Sequence, residues 1–284
     1  QSWSVISGYA SKEQAEKAMD SVERELNTPY GAMVMYPPYN KDGFDGALMQ
    51  CFNACTKENA GIFSQPQGWL ILAESKLGHG DRAYKYWKEA SPATYNDNAE
   101  LRVLEPYVFG QFVEGKDSPF AGRAHVHWLT GTASTCMVGC VEGICGMRPD
   151  LNGLWVCPTI PSDWKEMTMD KNFRGKKLHI TVRNESGAEC GFKEFYLNGQ
   201  KLDQPYVPAA DMKDENEVID WKEVRAYPTL GEECFDSLYI GIRVDKEYRE
   251  NIIRAARTCN PNIKIYQMTT DPESFMLTGK MIGG

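Results

Sequence analysis

The length, composition and charge of the chain exclude several classes of protein. Its 284 residues, of which 42% are hydrophobic and 11% aromatic, are enough to bury a sizeable core and to form two domains. The net charge of −8, with both signs interspersed, argues against nucleic acid as the main partner. The sequence holds no apolar run of about 18 residues, so no membrane-spanning helix is predicted.

The cysteines indicate a cellular location, and the first residues indicate that the chain is part of a longer protein. Nine cysteines is an odd number, and several lie in apolar helical segments, so we expect free thiols and a cytoplasmic location. The chain begins with Gln1-Ser2-Trp3 rather than Met. We therefore expect a longer polypeptide, or a split protein of which this is one chain.

Residues 1–149 are predicted to be helical. Ser11 and Gln14 form a capping box ahead of an apolar repeat with helical period. A second helix is predicted from Gln67 to Leu77, and Asp81 is predicted to cap a third.

Two long connections, at residues 28–66 and 92–127, separate these helices. A connection of such length inside a compact domain is usually functional, or else its secondary structure has been assigned wrongly. Long loops between antiparallel helices are typical of a helical barrel whose site lies at one rim.

The segment Thr130-Gly131-Thr132 precedes an apolar helix that is predicted to end at Gly146. The first amides of a helix lack intrahelical partners and lie at the positive end of its dipole. A glycine lets an anion approach these amides and threonine hydroxyls add donors, so the segment suits phosphate. The alternative is that Thr130 only caps the helix.

Two further stretches are candidates for sugar binding. Lys57, Glu58 and Asn59 lie side by side, and such groups can bind hydroxyls that both donate and accept hydrogen bonds; the alternative is a solvated turn. Gln111 lies in the aromatic run EPYVFGQFVEG, where its amide needs partners if it is buried. Aromatic faces beside an amide suit a sugar ring, and the alternative is a core glutamine.

No metal site is predicted. His125 and His127 are two residues apart in a loop, but no further ligands accompany them. The Cys-x3-Cys pairs at Cys51 and Cys136 lack the tight spacing of zinc ligands.

Strand composition begins after Asp150. Residues 150–222 are predicted to form an antiparallel, sandwich-like β domain with an Asn-Gly hairpin, and to cover the helical domain. Residues 223–284 read as strand, helix and strand, a βαβ-like appendage whose role the sequence does not assign. The fold class is thus mainly α plus β.

Several motifs carry a family resemblance. In chain order they are KENAGIF, QGW, GDRAYKYW, YNDNAE, EPYVFGQ, WLTGTAS, GMRPDLNGLWVCPTIPSDW and FRGKKLHI. Over residues 1–220 the chain resembles the C-terminal part of the glycoside hydrolase family 94 phosphorylases, the cellobiose and chitobiose phosphorylase group. The resemblance implies that residues 1–149 are the later helices of an (α/α)6 barrel.

The same resemblance implies a reaction. Family members cleave a β-glucosidic bond with inorganic phosphate and invert the anomeric centre to give an α-sugar 1-phosphate. Phosphate is an anion at neutral pH, so it attacks without the general base that water needs in an inverting hydrolase. One carboxylic acid protonates the leaving oxygen. Inorganic phosphate is then a co-substrate, and no cofactor is expected.

The family's binding residues match particular positions of this chain. Thr130 and Gly131 match its phosphate-binding pair, Gln111 a glutamine on the donor sugar, and Lys57 and Glu58 a pair at the acceptor side.

Two features depart from the family pattern or lie outside the chain. Gln65 stands where the family usually has a phosphate-binding histidine, so it is expected at the phosphate without a charge. The general-acid aspartate is expected upstream of Gln1, so no catalytic residue is assigned here. The loop carboxylates Asp42, Asp45 and Asp97 do not lie in the motif that the family uses.

The expected function is therefore phosphorolysis of a β-linked glucosyl di- or oligosaccharide, with this chain supplying the phosphate- and sugar-binding half of the site. The expected partners are that sugar, phosphate and an N-terminal portion or companion chain, with a homodimer as a further expectation and neither nucleic acid nor membrane. Two alternatives stay open: a non-catalytic carbohydrate-binding or assembly subunit, and a fragment of a glycan synthase that shares the barrel.

Overall fold

The structure, a computed structural model, describes residues 1–39, 48–223, 237–240, 246–259, 263–270 and 277–283. The chain divides into two units, Gln1–Ala226 and Tyr227–Gly284. Both contain helices and sheets, so the predicted mixture of α and β structure is confirmed. None of the helices in the described ranges is long and apolar enough to cross a membrane.

Helices form the first part of the larger unit. Their bounds are α1 Ser2–Ile6, α2 Lys12–Ser21, α3 Gln65–Leu77, α4 Gly80–Ala90, α5 Ala99–Arg102 and α6 Thr132–Val138. Two π-helical turns, Val22–Leu26 and Gly139–Ile144, prolong α2 and α6. A 3-10 segment, Pro92–Asn98, precedes α5.

The helix ends test the predicted caps. The capping box of Ser11 and Gln14 is present at α2 and is confirmed. The cap predicted at Asp81 is wrong, because α4 begins at Gly80 with His79 as its N-cap. The Asp81 carboxylate instead accepts hydrogen bonds from the backbone and hydroxyl of Ser162, both at 2.9 Å.

Helices α3 and α6 approach each other at glycines. A Cβ atom at Gly68 would lie 2.2 Å from the carbonyl carbon of Thr135. A Cβ atom at Gly139 would lie 2.8 Å from the carbonyl oxygen of Gly68. Since no side chain fits in either position, the two backbones pack directly, and this fixes the start of α3 relative to α6.

The two long connections are more ordered than predicted. They contain the strands of a three-stranded antiparallel sheet, which are β1 Ile62–Phe63, β2 Gly110–Val113 and β3 Ala124–His127. Gln67 fixes another part of the first connection, because its buried amide donates to the Ala32 carbonyl at 2.8 Å and accepts from the Ala32 N–H at 2.9 Å. These contacts hold the connections against α3.

Strands follow the helices, as predicted. Their bounds are β4 Met147–Pro149, β5 Gly153–Val156, β6 Glu166–Phe173, β7 Lys176–Arg183, β8 Glu194–Leu197, β9 Gln200–Leu202, β10 Tyr206–Pro208 and β11 Glu215–Trp221. One sheet has the order β10-β5-β4 and the other β6-β7-β11-β8-β9. The predicted Asn198-Gly199 hairpin joins β8 to β9, and both turn residues have positive φ.

The larger sheet differs from the prediction in one pairing. Strand β11 runs parallel to β7 and antiparallel to β8, so the sheet is mixed rather than wholly antiparallel. The reason is that the chain passes through β8, β9 and β10 before it returns to the exposed edge of β7.

One hydrophobic core serves both halves of the larger unit. It joins Ile71 and Tyr86 of the helices to Leu154 and Phe195 of the strands, and each of these side chains is fully buried. This shared core does not divide the larger unit at residue 149, so the domain boundary proposed there stays a prediction, as does the one proposed at residue 222.

The smaller unit has its own sheet and helix. Its elements are β12 Ser237–Ile240, α7 Lys246–Cys259, β13 Lys264–Thr270 and β14 Leu277–Gly283. Helix α7 connects β12 to β13, and these two strands pair in parallel, as the predicted order of strand, helix and strand requires. Strand β14 pairs with β13 in the antiparallel direction. Ile265 is buried and packs with Ile253 of α7.

Candidate functional site

The start of α6 lies against the start of α3. Gln65 is the first residue of α3, and a Cβ atom at Gly131 would lie 3.2 Å from its amide nitrogen. The Thr135 hydroxyl donates a hydrogen bond of 2.8 Å to the Gln65 carbonyl oxygen. The structure therefore brings Gln65 and Gly131, two of the predicted phosphate residues, side by side.

Thr130 is engaged within its own turn. Its hydroxyl oxygen accepts a hydrogen bond from the Thr132 amide at 3.2 Å and lies 2.5 Å from the Thr132 hydroxyl. The N-cap residue is Gly131, which has no side chain to cap the helix. Thr130 thus serves one amide of the turn, while the next residues, Ala133 and Ser134, are exposed to solvent.

Gln111 lies on β2 and reaches the segment before α6. Its side-chain amide donates a long hydrogen bond of 3.5 Å to the Leu129 carbonyl oxygen. The residue is half-buried, which excludes the alternative of a fully buried core glutamine. Gln65, Gln111, Thr130 and Gly131 are hereafter called the α6-start cluster.

Two exposed aromatic residues accompany the α6-start cluster. The rings of Tyr107 and Trp128 meet edge to face, with centroids 6.3 Å apart, and the residues are 73% and 65% exposed. Trp128 and Val126 both have positive φ, of 65° and 55°. Such conformations cost free energy for bulky or β-branched residues and are concentrated at functional sites.

Sequence reasoning did not select Trp128. The signal that could have drawn attention to it is a tryptophan in a polar loop immediately before a Thr-Gly pair.

Lys57 and Glu58 lie in a packed turn, so the alternative of a solvated turn is wrong. The Lys57 ammonium lies 5.3 Å from the centre of the Phe52 ring and 6.0 Å from that of Phe112. One carboxylate oxygen of Glu58 is buried without a hydrogen-bond partner among the described residues. A buried carboxylate oxygen of this kind can accept a hydrogen bond from a ligand hydroxyl.

Asn59 has a structural role. It is 1% exposed, and its amide bonds to the backbone of Tyr39 and Phe52 at 2.7 to 3.1 Å. Its side chain is therefore engaged in holding the turn that carries Lys57 and Glu58.

The predicted residues contact two sides of β2. Neighbouring side chains of a strand point to opposite faces, so Gln111 and Phe112 face opposite ways. The described contacts join Gln111 to the segment before α6 and Lys57 to Phe112. The structure thus brings four predicted residues together in the α6-start cluster and holds Lys57 by a separate set of contacts.

The histidines pair with carboxylates. His125 stacks on Phe112 and lies 2.7 Å from a Glu114 carboxylate oxygen, and His127 lies 3.6 Å from Glu105. In the part of the chain that the structure describes, no three His, Cys, Asp or Glu side chains are grouped as metal ligands would be.

The structure describes one of the three loop aspartates. Asp42 and Asp45 lie outside the described residues, and Asp97 is exposed in the 3-10 segment. The upstream general acid stays a prediction.

Comparison with known families bears on this site. Residues 1–146 match the family described as Glycosyl hydrolase 94 superfamily, catalytic domain, and this stretch holds the α6-start cluster as well as Lys57 and Glu58. The chain belongs to this family. The predicted resemblance is confirmed.

Three known proteins are similar to this chain over most of its length. N,N'-diacetylchitobiose phosphorylase from Vibrio proteolyticus is 38% identical over 215 residues, which are 76% of this chain and 27% of that protein. Cellobionic acid phosphorylase from Neurospora crassa is 32% identical over 75% of this chain and 26% of its own length. Cyclic beta-(1,2)-glucan synthase from Rhizobium meliloti is 29% identical over 66% of this chain and 7% of its own length.

The chain is short compared with the phosphorylases among these relatives. It spans about a quarter of the length of each of the two.

Proposed function

We propose that the full-length protein is a cytoplasmic glycoside phosphorylase. It cleaves a β-linked glucosyl di- or oligosaccharide with inorganic phosphate as co-substrate and inverts the anomeric centre to give an α-sugar 1-phosphate. Similarity to phosphorylases that act on different saccharides supports the reaction class. In this proposal an N-terminal portion or companion chain supplies the general acid, and the chain described here supplies the phosphate- and sugar-binding half.

The observation that carries the proposal is the α6-start cluster. Phosphate bound there meets the first amides of α6, the Gly131 backbone and the Thr130 hydroxyl. Gln65, in contact with Gly131, donates from its neutral amide. The negative charge of phosphate is then stabilised by dipoles rather than by a histidine.

The sugar lies above the phosphate in this proposal. Gln111 binds the donor ring, and Trp128 offers an exposed aromatic face beside it. Lys57 and the unpartnered oxygen of Glu58 bind hydroxyls on the acceptor side. A β-glucosidic bond joins donor and acceptor directly, so the proposal requires Lys57 and Glu58 to meet the same substrate as Gln111, although Lys57 contacts the opposite face of β2.

The proposed barrel explains the exposed apolar side of α6. Met137 and Val138 are 67% and 41% exposed on this helix. Other helices of an (α/α)6 barrel, contributed by the N-terminal portion, would cover them. A homodimer of the complete protein is part of the same proposal.

Substitution of Thr130 by valine tests the phosphate site. The change keeps the side-chain volume and removes the hydroxyl, so we expect the specificity constant for phosphate to fall by about five- to 150-fold, equivalent to roughly 1 to 3 kcal/mol. The measurement is release of sugar 1-phosphate from cellobiose or N,N'-diacetylchitobiose by the full-length protein. Thr168→Val, at an exposed position of β6, is the matched control. Equal losses in both variants would contradict the proposal.

The alternative is a non-catalytic carbohydrate-binding or assembly subunit. The neutral Gln65 favours it, because phosphate has lost a cationic partner there. Calorimetry separates the two functions: a phosphorylase binds the disaccharide with an affinity that depends on phosphate, whereas a binding module binds it equally with and without phosphate.

A further inference from the structure

A cavity lies between helix α4 and the loop that precedes β6. Its volume is about 360 Å³, near the lower end of the range for small-molecule sites and suited to a sugar of one or two rings. Residues three, four and seven apart share one face of a helix, and α4 contributes such a face, formed by Asp81, Tyr84, Lys85 and Lys88. Residues 161–164 line the other side. The cavity is hereafter called the α4 cavity.

The geometry points to a second sugar site: we propose that the α4 cavity binds a neutral saccharide. This inference does not depend on the proposed phosphorolysis, because the α4 cavity shares no lining residue with the α6-start cluster, nor with Lys57 and Glu58.

Aromatic rings form the apolar wall of the α4 cavity. The rings of Tyr84 and Trp164 meet edge to face, with centroids 4.9 Å apart and an angle of 66° between their planes. Tyr84 is also stacked on Trp87, with centroids 5.9 Å apart. A pyranose has C–H groups on its faces and hydroxyls around its rim, so an aromatic surface beside polar groups suits it.

The loop that carries Trp164 is fixed by hydrogen bonds. The Asp81 carboxylate accepts from the backbone and the hydroxyl of Ser162, both at 2.9 Å. The Trp164 N–H donates to the Pro161 carbonyl at 3.1 Å, and the fully buried Asn184 amide donates to the Trp164 carbonyl at 2.9 Å. Because the wall is held in place by the protein, a ligand does not have to order it on binding.

The charges around the α4 cavity favour a neutral ligand over an ion. Its lining contains two carboxylates, Asp81 and Asp163, and two ammonium groups, Lys85 and Lys88, so their charges balance. Lys85 is moreover paired with Glu23. An anion or a cation would therefore find no excess of opposite charge there.

Two of these charged groups are available to hydroxyls. Asp163 is exposed, and its carboxylate has no hydrogen-bond or ion-pair partner among the described residues. The Lys88 ammonium lies 4.9 Å from the centre of the Tyr84 ring and forms no ion pair within the same ranges. A carboxylate accepts and an ammonium donates, and sugar hydroxyls do both.

Amide hydrogen exchange of the full-length protein, measured by mass spectrometry, tests this site. The probe is cellotetraose, a neutral saccharide, in a buffer without phosphate so that phosphorolysis cannot consume it. We expect cellotetraose to slow exchange in residues 80–90 and 159–166, besides any slowing around the α6-start cluster. Slowing confined to the α6-start cluster, or absent from both regions, would overturn the proposal.

Exposed side chains distinguish direct contact from a distant effect. We expect Lys88→Ala and Asp163→Ala each to raise about tenfold the cellotetraose concentration that half-saturates the slowing in residues 159–166, because each removes a charged hydrogen-bonding group. Lys193→Ala and Asp203→Ala, at exposed positions outside the α4 cavity, are the matched controls and should leave this concentration unchanged. The same concentration in all four variants and the wild type would show that the slowing is transmitted from another site, which would also overturn the proposal.

Discussion

At the scale of single residues, substitution of Gln65 tests whether phosphate binds beside this side chain. Gln65→His introduces a group that is protonated below about pH 6.5 and would then attract the anion. We expect the ratio of two specificity constants for phosphate, that of Gln65→His divided by that of the wild type, to rise as pH falls from about 8 to about 6. This ratio cancels the titration of phosphate itself.

The matched control for this substitution is Gln200→His, at an exposed position of β9. Its ratio to wild type should be independent of pH. A flat profile for Gln65→His as well would place the phosphate away from Gln65.

Asp220 gives the β part of the protein a predictable response to pH. Asp220 is 1% exposed, and both its carboxylate oxygens lack hydrogen-bond partners among the described residues. Burial raises its pKa from the ordinary 3.8 to about 6, against the opposing effect of Lys222, whose ammonium lies 3.5 Å away. The Lys222 ammonium also donates to the Pro158 and Gly191 carbonyls.

The sign of the pH effect follows from this raised pKa. The folded protein holds the Asp220 proton more tightly than the unfolded chain, so the contribution is fully present below about pH 4 and is lost as pH rises through about 6. The difference amounts to at most about 3 kcal/mol. Asp220→Asn should remove this part of the pH dependence of the free energy of unfolding, measured with urea. Asp203→Asn, on the surface, should leave it unchanged, and an unaltered profile in Asp220→Asn would show that the carboxyl titrates normally.

At the scale of elements, the crossing of α3 and α6 positions the α6-start cluster. A methyl group at Gly68 would overlap the Thr135 backbone, so Gly68→Ala must push the helices apart. We expect a loss of about 1 to 3 kcal/mol in the free energy of unfolding, and also weaker use of phosphate, because Gln65 moves away from Gly131.

Ser134→Thr is the control for this crossing, since it adds one methyl group at an exposed position of α6. Its stability should stay close to that of the wild type. Equal stability of Gly68→Ala would mean that the helices can separate without cost.

The elements also show what a sequence can predict. The capping box at Ser11 and the hairpin at Asn198-Gly199 were predictable, because each depends on residues adjacent in sequence. The sheet β1-β2-β3 was not, since its strands of two to four residues are too short for a periodic pattern. The parallel pairing of β7 and β11 was equally hidden, because pairing between distant strands leaves no local signal.

The candidate site, too, was predictable from the sequence only in part. Its polar members were found through motifs. The contacts among them follow from the α3–α6 crossing, where Gly68 meets Thr135, and from the β2–β3 pairing, where Gly110 lies opposite His127. The strained backbone at Trp128 and the π turn at Cys140 depend on tertiary packing, so no pattern of residue types revealed them.

At the scale of the whole molecule, the buried residues that the structure describes form a separate cluster in each unit. The cluster that includes Ile71 and Phe195 lies within residues 1–226, and the one around Ile265 lies within 227–284. A unit whose core draws on no other part of the chain unfolds as its own cooperative transition. Each unit should therefore give a separate transition on heating.

Removal of residues 227–284 from the full-length protein tests this independence. We expect the transition of the remaining chain to keep its midpoint to within about 3 °C, a change of less than about 1 kcal/mol, because the described residues of its core all precede residue 227. Phosphorolysis should also be retained, since the α6-start cluster, Lys57 and Glu58 all precede residue 227. Calorimetry and the sugar 1-phosphate assay measure the two properties separately. Intact folding with lost activity would assign residues 227–284 to the function, whereas loss of the cooperative transition would show that they complete the larger core.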